Sequence, residues 1–351
     1  MLALFALAAL SISPPAGGTP YRAPQLAASS KLVALAFGSG HAIFVSTSKD
    51  LGATFSAPVK VTEAGVLPLG RHRGPRIALT KRAIVVTAVA GNTEATGPHA
   101  HGLPSDGDLF AWHSVDGGKT WSKGARINDV PGSAREGLHA LASDARGGLF
   151  AVWLDLRGKG TQLYGAFSDD SGATWSKNQL VYESPDGTIC QCCHPSASFA
   201  ADGTLTVMWR NDLDGARDFY MVSAKPGKPF GPAQKLGLGT WKINACPMDG
   251  GGIAHQGNQV VTAWRREGDL FLDKPGQPEE KLGQGKDIAI AAEAGQLYVA
   301  WIAEGKLELW KDGKARTLSE SAALPSVVML PDGQALLAWE DSQGISVQSA
   351  N

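Results

Sequence analysis

An eight-residue pattern recurs along this chain and constrains its fold more than any other feature. Ser48-Lys49-Asp50-Leu51-Gly52-Ala53-Thr54-Phe55 has the form S-x-D-x-G-x-T-[FW]. Ser114 to Trp121 and Ser168 to Trp175 repeat it, and Ser223 to Phe230 is an eroded fourth copy. One such octamer is weak evidence, but three clean copies at the spacing of a small sheet are strong. The pattern has a physical logic as a hairpin loop. Asp and Ser side chains bond loop backbone groups that no strand ladder pairs. Glycine permits the positive φ of a tight loop. The closing aromatic folds back as an apolar plug between neighbouring sheets. Ser48, Asp50, Gly52 and Phe55 are therefore structural, as are Ser114, Asp116, Gly118 and Trp121, and Ser168, Asp170, Gly172 and Trp175. Their Asp residues are not candidate catalytic acids.

A second periodicity agrees. Apolar strands ending in Trp recur at 149–153, 205–209, 260–264, 297–301 and 336–339, with Trp-free equivalents at 32–37 and 84–89. Each is preceded by a short strand and a turn, such as Asp144 to Gly148. The octamers are Asp-box, or BNR, repeats, and from about residue 20 onward the chain resembles the sialidase-like β-propellers. That resemblance implies an all-β ring of four-stranded blades around a channel. Sialidases have six blades. The strand count here favours seven, beginning near residues 23, 74, 137, 194, 247, 285 and 323, with six as the alternative. The last unit supplies three strands, and residues around Pro20 to Arg22 are expected to complete it.

Composition fits one such domain over residues 19–351. Gly (43) and Pro (20) are spread along the chain, as many short strands and tight turns require. With 32 basic and 33 acidic residues, neither a nucleic-acid footprint nor a polybasic membrane patch is implied. The run Leu2 to Leu10 is too short to span a bilayer. It has the form of a secretory h-region over residues 1–18, with cleavage near Ala16 to Gly18, although no Lys or Arg precedes it. The alternative is a buried first strand. Export to a periplasmic or extracellular, disulfide-permissive space is expected, with no membrane span after removal of the signal.

Strand alternation places the inter-blade loops and the loops between second and third strands on one face, and the octamers on the other. The first face collects the reactive side chains. Cys190-Gln191-Cys192-Cys193-His194 enters the fourth blade, and Cys246-Pro247-Met248 enters the fifth. Three readings arise. C-x-x-C-H is the haem c pattern, but a C-x-C-C run at a blade junction is a poor scaffold for a vinyl-linked haem. A disulfide could staple the two blades through Cys246. Or Cys190, Cys192, Cys193, His194, Cys246 and Met248 form a soft-metal pocket suited to copper or zinc.

Arg76, Arg157, Arg210 and Arg265 are candidates to hold a small anionic or glycan-like ligand, because guanidinium gives permanently charged, bidentate contacts. Their alternative is ion pairing with loop acids such as Asp155, Asp212 and Glu267. Sialidases hold a substrate carboxylate with three Arg, and Gly74-Pro75-Arg76-Ile77 loosely resembles their Arg-Ile-Pro signature with the order changed. A sialidase-type glycosidase also needs a Tyr–Glu pair and an acid Asp. That set does not assemble from the five Tyr, because adjacent Tyr182 and Glu183 point to opposite sides of a strand. Glu136, His139 and Asp106 are the remaining acid–base candidates, with His99 and His101 in the same loop as Asp106. The expected function is a ligand- or metal-binding propeller. The alternatives are a glycoside hydrolase related to exo-sialidases and a disulfide-stapled interaction disc.

Overall fold

A computed structural model describes residues 9–97, 100, 102–293 and 295–350; His99 and His101 lie outside them. Short alternating segments punctuated by Gly and Pro form 28 strands among the described residues, in seven antiparallel four-stranded sheets. A first strand, β1 (Leu10–Ile12), precedes the blades. Blade 1 is β2 (Arg22–Ala28), β3 (Val33–Ser39), β4 (Ala42–Ser48) and β5 (Val59–Glu63). Blade 2 is β6 (Arg76–Leu79), β7 (Ile84–Ala90), β8 (Asp108–Ser114) and β9 (Ala125–Arg126). Blade 3 is β10 (His139–Ser143), β11 (Leu149–Asp155), β12 (Gln162–Ser168) and β13 (Gln179–Tyr182). Blade 4 is β14 (Ser196–Phe199), β15 (Leu205–Arg210), β16 (Phe219–Ala224) and β17 (Gln234–Lys235). Blade 5 is β18 (Gly252–Gln256), β19 (Gln259–Arg266), β20 (Asp269–Asp273) and β21 (Glu280–Gln284). Blade 6 is β22 (Lys286–Glu293), β23 (Gln296–Ala303), β24 (Lys306–Lys311) and β25 (Lys314–Ser319). Blade 7 is β26 (Ala323–Met329), β27 (Ala335–Asp341) and β28 (Gly344–Ser349), completed by β1.

The blade count is thus seven, and every blade begins within a few residues of its expected start. The ring closes differently from expectation. Arg22 opens β2, and the strand that completes blade 7 is β1, pairing Leu10 with Val347 and Ile12 with Ile345. The first strands of successive blades pack side by side around the ring, from β2 through β26 and back to β2. Second strands carry the core: Trp153 and Trp209 are fully buried, and Trp264, Trp301 and Trp339 almost so. These Trp side chains sit between sheets, so their repetition reflects blade packing.

Each octamer joins the third and fourth strands of blades 1 to 3. Ser48 Oγ accepts the Gly52 N–H at 2.8 Å and donates to Asp50 at 2.7 Å. Asp50 in turn accepts the Thr54 N–H and hydroxyl, at 2.9 and 2.6 Å. The Thr54 hydroxyl is the main reason the Asp50 carboxyl is lowered to about 2. Ser114 with Asp116 and Ser168 with Asp170 repeat the arrangement. Glycine is required twice over in these loops. Gly172 has φ 84°, and a Cβ there would meet Val85 of blade 2 at 2.8 Å.

Candidate functional site

Residues entering the first strands of all seven blades line a cavity of about 200 Å³ at one end of the central channel. His72, Arg76 and His194 are its chemically active walls, with Gln25, Ser196 and Ser326. The cysteine cluster lies at the entry to β14, next to this mouth.

A turn over residues 191–193 folds the cysteines inward and leaves Gln191 exposed. Cys190 N–H donates to the Arg210 carbonyl at 3.1 Å, tying the turn to the end of β15. Cys190 and Cys193 are 1% exposed and Cys192 is 8%. Their sulfurs converge: Cys190 Sγ is 3.6 Å from Cys192 Sγ and 3.4 Å from Cys193 Sγ, and the last pair is 4.0 Å apart. All four cysteines are free. A disulfide holds its sulfurs at about 2.05 Å, so none joins these atoms. Cys246 is exposed and stands outside the cluster, which removes the expected blade-to-blade staple and also Cys246 as a fourth sulfur. Met248 does pack against the three cysteines.

The three thiols shift in different directions. Hydrogen bonding with Cys192, then with Cys193, draws the Cys190 thiol well below its ordinary range, with the Arg210 guanidinium assisting. Burial pushes the Cys193 thiol up to about 11, and its contact with Cys190 adds to the rise. Cys192 is raised too, first through its hydrogen bond with Cys190.

His194 turns away from the sulfurs. Its ring stacks on His72 with centroids 4.3 Å apart. The close fit depends on Gly250, where a Cβ would lie 2.4 Å from the His194 ring. His72 Nε2 lies 2.8 Å from Asp287 Oδ1 and 3.8 Å from Asp249 Oδ1. Burial raises the Asp249 carboxyl to about 6 against the lowering effect of His72 and Arg265. Burial is the largest influence on Asp287 and pushes it up, but the His72 hydrogen bond and charge, with Lys286 and Arg265, together hold that carboxyl below its ordinary value. His72, Asp249 and Asp287 escaped the site reading because blades 2, 5 and 6 bring them together from distant stretches. The one available signal was Asp249-Gly250-Gly251-Gly252, a glycine run at a first-strand entry where something must approach closely.

The four arginines do not converge into an anion clamp. Arg157 is bidentate to Asp155 (2.8 and 2.9 Å), pairs with Asp129 at 2.9 Å and covers the Tyr164 ring. Its loop ion-pairing alternative is the arrangement seen. Arg210 is 1% exposed, donates to the carbonyls of Arg217, Asp249 and Arg265, and stacks on Phe219. Buried in this way, its guanidinium cannot reach a ligand. Asp212 pairs with Arg217 instead. Arg265 Nε lies 3.3 Å from Asp249 Oδ2. Arg76 donates only to the carbonyls of Pro75 and His72 and meets no carboxylate among the described residues. Burial lowers its guanidinium to about 10.

Nor do Glu136, His139 and Asp106 form an acid–base set: no hydrogen bond or ion pair among the described residues joins them. Asp106 accepts the Asn92 and Thr93 N–H groups and closes that loop. Glu136 faces Arg73 at 3.7 Å, and burial raises its carboxyl. His139 is fully buried, with Nε2 3.0 Å from Thr87 Oγ1. Burial, then the nearby Arg76 charge, hold its imidazole well below the ordinary value.

That depression has a sign. His139 is neutral in the folded chain, while the unfolded chain protonates it below about pH 6.5. Its contribution to stability is present above that pH and lost as pH falls, with a slope of about 1.4 kcal/mol per pH unit. Asp249 acts oppositely: its raised carboxyl means that stability is gained as pH falls from about 6 towards 4. Urea midpoints between pH 7 and 5 should therefore show a shallower acid loss for His139→Gln. Parallel curves would contradict the buried neutral His139.

Seven radial sheets and a polar loop face define a seven-bladed β-propeller. No family model and no curated protein matches the chain. Solved structures do. A protein of unknown function from Dyadobacter fermentans superposes with TM-score 0.60 at 14% identity, covering 98% of each chain. The alpha-L-arabinanase of Penicillium chrysogenum, solved with arabinobiose, gives 0.60 at 13%, again over 98% of each. The NanB sialidase of Streptococcus pneumoniae gives 0.54 at 11%, over 97% of this chain and 70% of its own. At these identities the likeness is one of fold alone, a β-propeller of the kind also found in sialidases and an arabinanase. No helix among the described residues is long and apolar enough to cross a membrane.

Proposed function

We propose that this propeller holds a soft metal ion, copper(I) before zinc, between Cys190, Cys192 and Cys193, with the Met248 thioether as the neighbouring fourth donor. The observation that carries the reading is the sulfur spacing. A tetrahedral ion with bonds of about 2.3 Å places its sulfurs about 3.8 Å apart. The separations of 3.4, 3.6 and 4.0 Å bracket that value. Thiolate with thioether favours copper(I) over harder ions. Such an ion would displace the thiol protons, and the net charge would remain partly balanced by buried Arg210. Titration of the reduced protein with copper(I) against a chromophoric chelator should show about one tightly held equivalent. Absence of retained copper and zinc sinks the proposal. Export belongs to the same reading and is checked by sequencing the first residue of protein recovered outside the cytoplasm.

Arg76 favours a second ligand. A guanidinium on the channel wall without a carboxylate partner suits a small carboxylated glycan, and several structural neighbours process glycans. Saturation-transfer NMR with a sialoside and a uronide panel should show contacts that Arg76→Ala abolishes. No contact across the panel removes this reading. Hydrolysis is a separate matter, because each Tyr is engaged in packing; Tyr182, for example, packs tilted against Trp209 with ring centroids 4.4 Å apart.

A further inference from the structure

The channel mouth carries a second set of donors that the sulfur cluster does not use. We propose that His72 Nε2, Asp249 and Asp287 form a separate site for a divalent transition-metal ion of harder character. The three ligand atoms lie within 4.8 Å of one another. An ion with bonds of about 2.0–2.2 Å sets its N and O donors about 3.0–3.5 Å apart. The His72 Nε2 distances of 2.8 Å to Asp287 and 3.8 Å to Asp249 fall on either side of that range. Small movements of the side chains complete the set.

Asp249 supplies an independent reason. It is 1% exposed, and its Oδ2 accepts no hydrogen bond. Arg265 Nε approaches that oxygen at 3.3 Å but is itself unbonded, and the same guanidinium donates to the Pro247 carbonyl. That buried oxygen has a guanidinium nearby but accepts no hydrogen bond, so it keeps lone pairs that a metal ion can use. Lys286 stands 3.9 Å from Asp287 on an exposed side chain and is free to swing away. His72 ligates through the nitrogen that now faces Asp287, so binding releases any proton shared there to solvent. One imidazole and two carboxylates suit cobalt, zinc or manganese rather than copper(I).

The two sites would adjoin. Met248 and Asp249 are consecutive, and His194, which follows Cys193, stacks on His72.

Cobalt(II) distinguishes the sites, because thiolate ligation produces an intense near-ultraviolet charge-transfer band and N/O ligation only weak visible bands. The chain with Cys190→Ser, Cys192→Ser and Cys193→Ser, shown folded by circular dichroism, should bind about one cobalt(II) with visible bands alone. Adding Asp287→Asn should weaken that binding by at least about tenfold. If the triple variant does not fold, the wild-type chain carries the test: its visible bands should fall with Asp287→Asn while the charge-transfer band stays. Cobalt(II) binding that is lost altogether in the folded triple-serine variant, or visible bands indifferent to Asp287→Asn, overturns the proposal. Neither result bears on copper(I) retention, so the two sites stand or fall separately.

Discussion

Copper(I) affinity is expected to fall by more than about 100-fold in Cys193→Ser, since losing even a group that only supports a metal ligand costs about 10–100-fold. Cys193 is 1% exposed and stands at the close end of the trio, 3.4 Å from Cys190. Serine keeps the volume but offers a hard oxygen in place of a soft sulfur. Met248→Leu should cost less, about tenfold, because it preserves packing against the cluster and removes only the thioether. Cys246→Ser should match the wild type, since Cys246 is exposed and apart from the trio. Competition with a chromophoric chelator orders the three variants. Equal affinity for Cys193→Ser and wild type, or a loss with Cys246→Ser, would place the metal elsewhere.

Trp153→Ala is expected to destabilise the fold by about 3–5 kcal/mol, the range for emptying a large aromatic site in a packed core. Trp153 is fully buried between blades 2 and 3, and Val89, Leu109 and Ala166 belong to the same cluster. It also donates Nε1–H to Asp155 Oδ2 at 2.8 Å. Asp155 keeps Ser133 and Arg157 as donors, so losing the indole weakens the carboxylate's setting without orphaning it. Trp153→Phe separates the terms: most of the volume returns, and the missing hydrogen bond should cost about 1–2 kcal/mol. Chemical denaturation of both variants measures the difference. Equal midpoints would show that the hydrogen bond, not the volume, dominates.

The architecture was legible because repetition averages over local ambiguity. Ser48, Ser114 and Ser168 mark three loops, and Trp-ended strands mark five blades, so errors at one blade do not move the others. Nothing comparable marks β1. Leu10-Ser11-Ile12 continues an apolar run whose composition serves a signal h-region and an edge strand equally. The site was half legible. Cys190, Cys192 and Cys193 are close in sequence, so a single turn gathers them. Cys246 has the same loop context, but the direction of its side chain depends on the turn through Pro247 and a positive φ at Met248 (55°), which spacing does not reveal. Arg210 shows the same limit. Its place at a strand end was right, but the guanidinium points inward to three carbonyls. His72, Asp249 and Asp287 meet because a ring makes neighbours of residues more than two hundred positions apart, as the His72–Asp287 pair shows.

The way blade 7 is finished has a consequence for how the disc can come apart. Three residues, Leu10–Ile12, tie one end of the described chain to β28 near the other. Elsewhere each sheet is stitched from consecutive segments, so its edge cannot detach without disturbing its own hairpin. This seam has no such tether, and only backbone ladder bonds and the partial burial of Leu10 and Ile12 hold it shut. Local opening should therefore begin there, and fastest amide exchange among the ring's paired strands should appear in β28 rather than in the blades that carry the cysteine cluster. If leader removal takes Leu10–Ile12 away, the finished disc has an unpaired β28 edge, a ready template for an added strand.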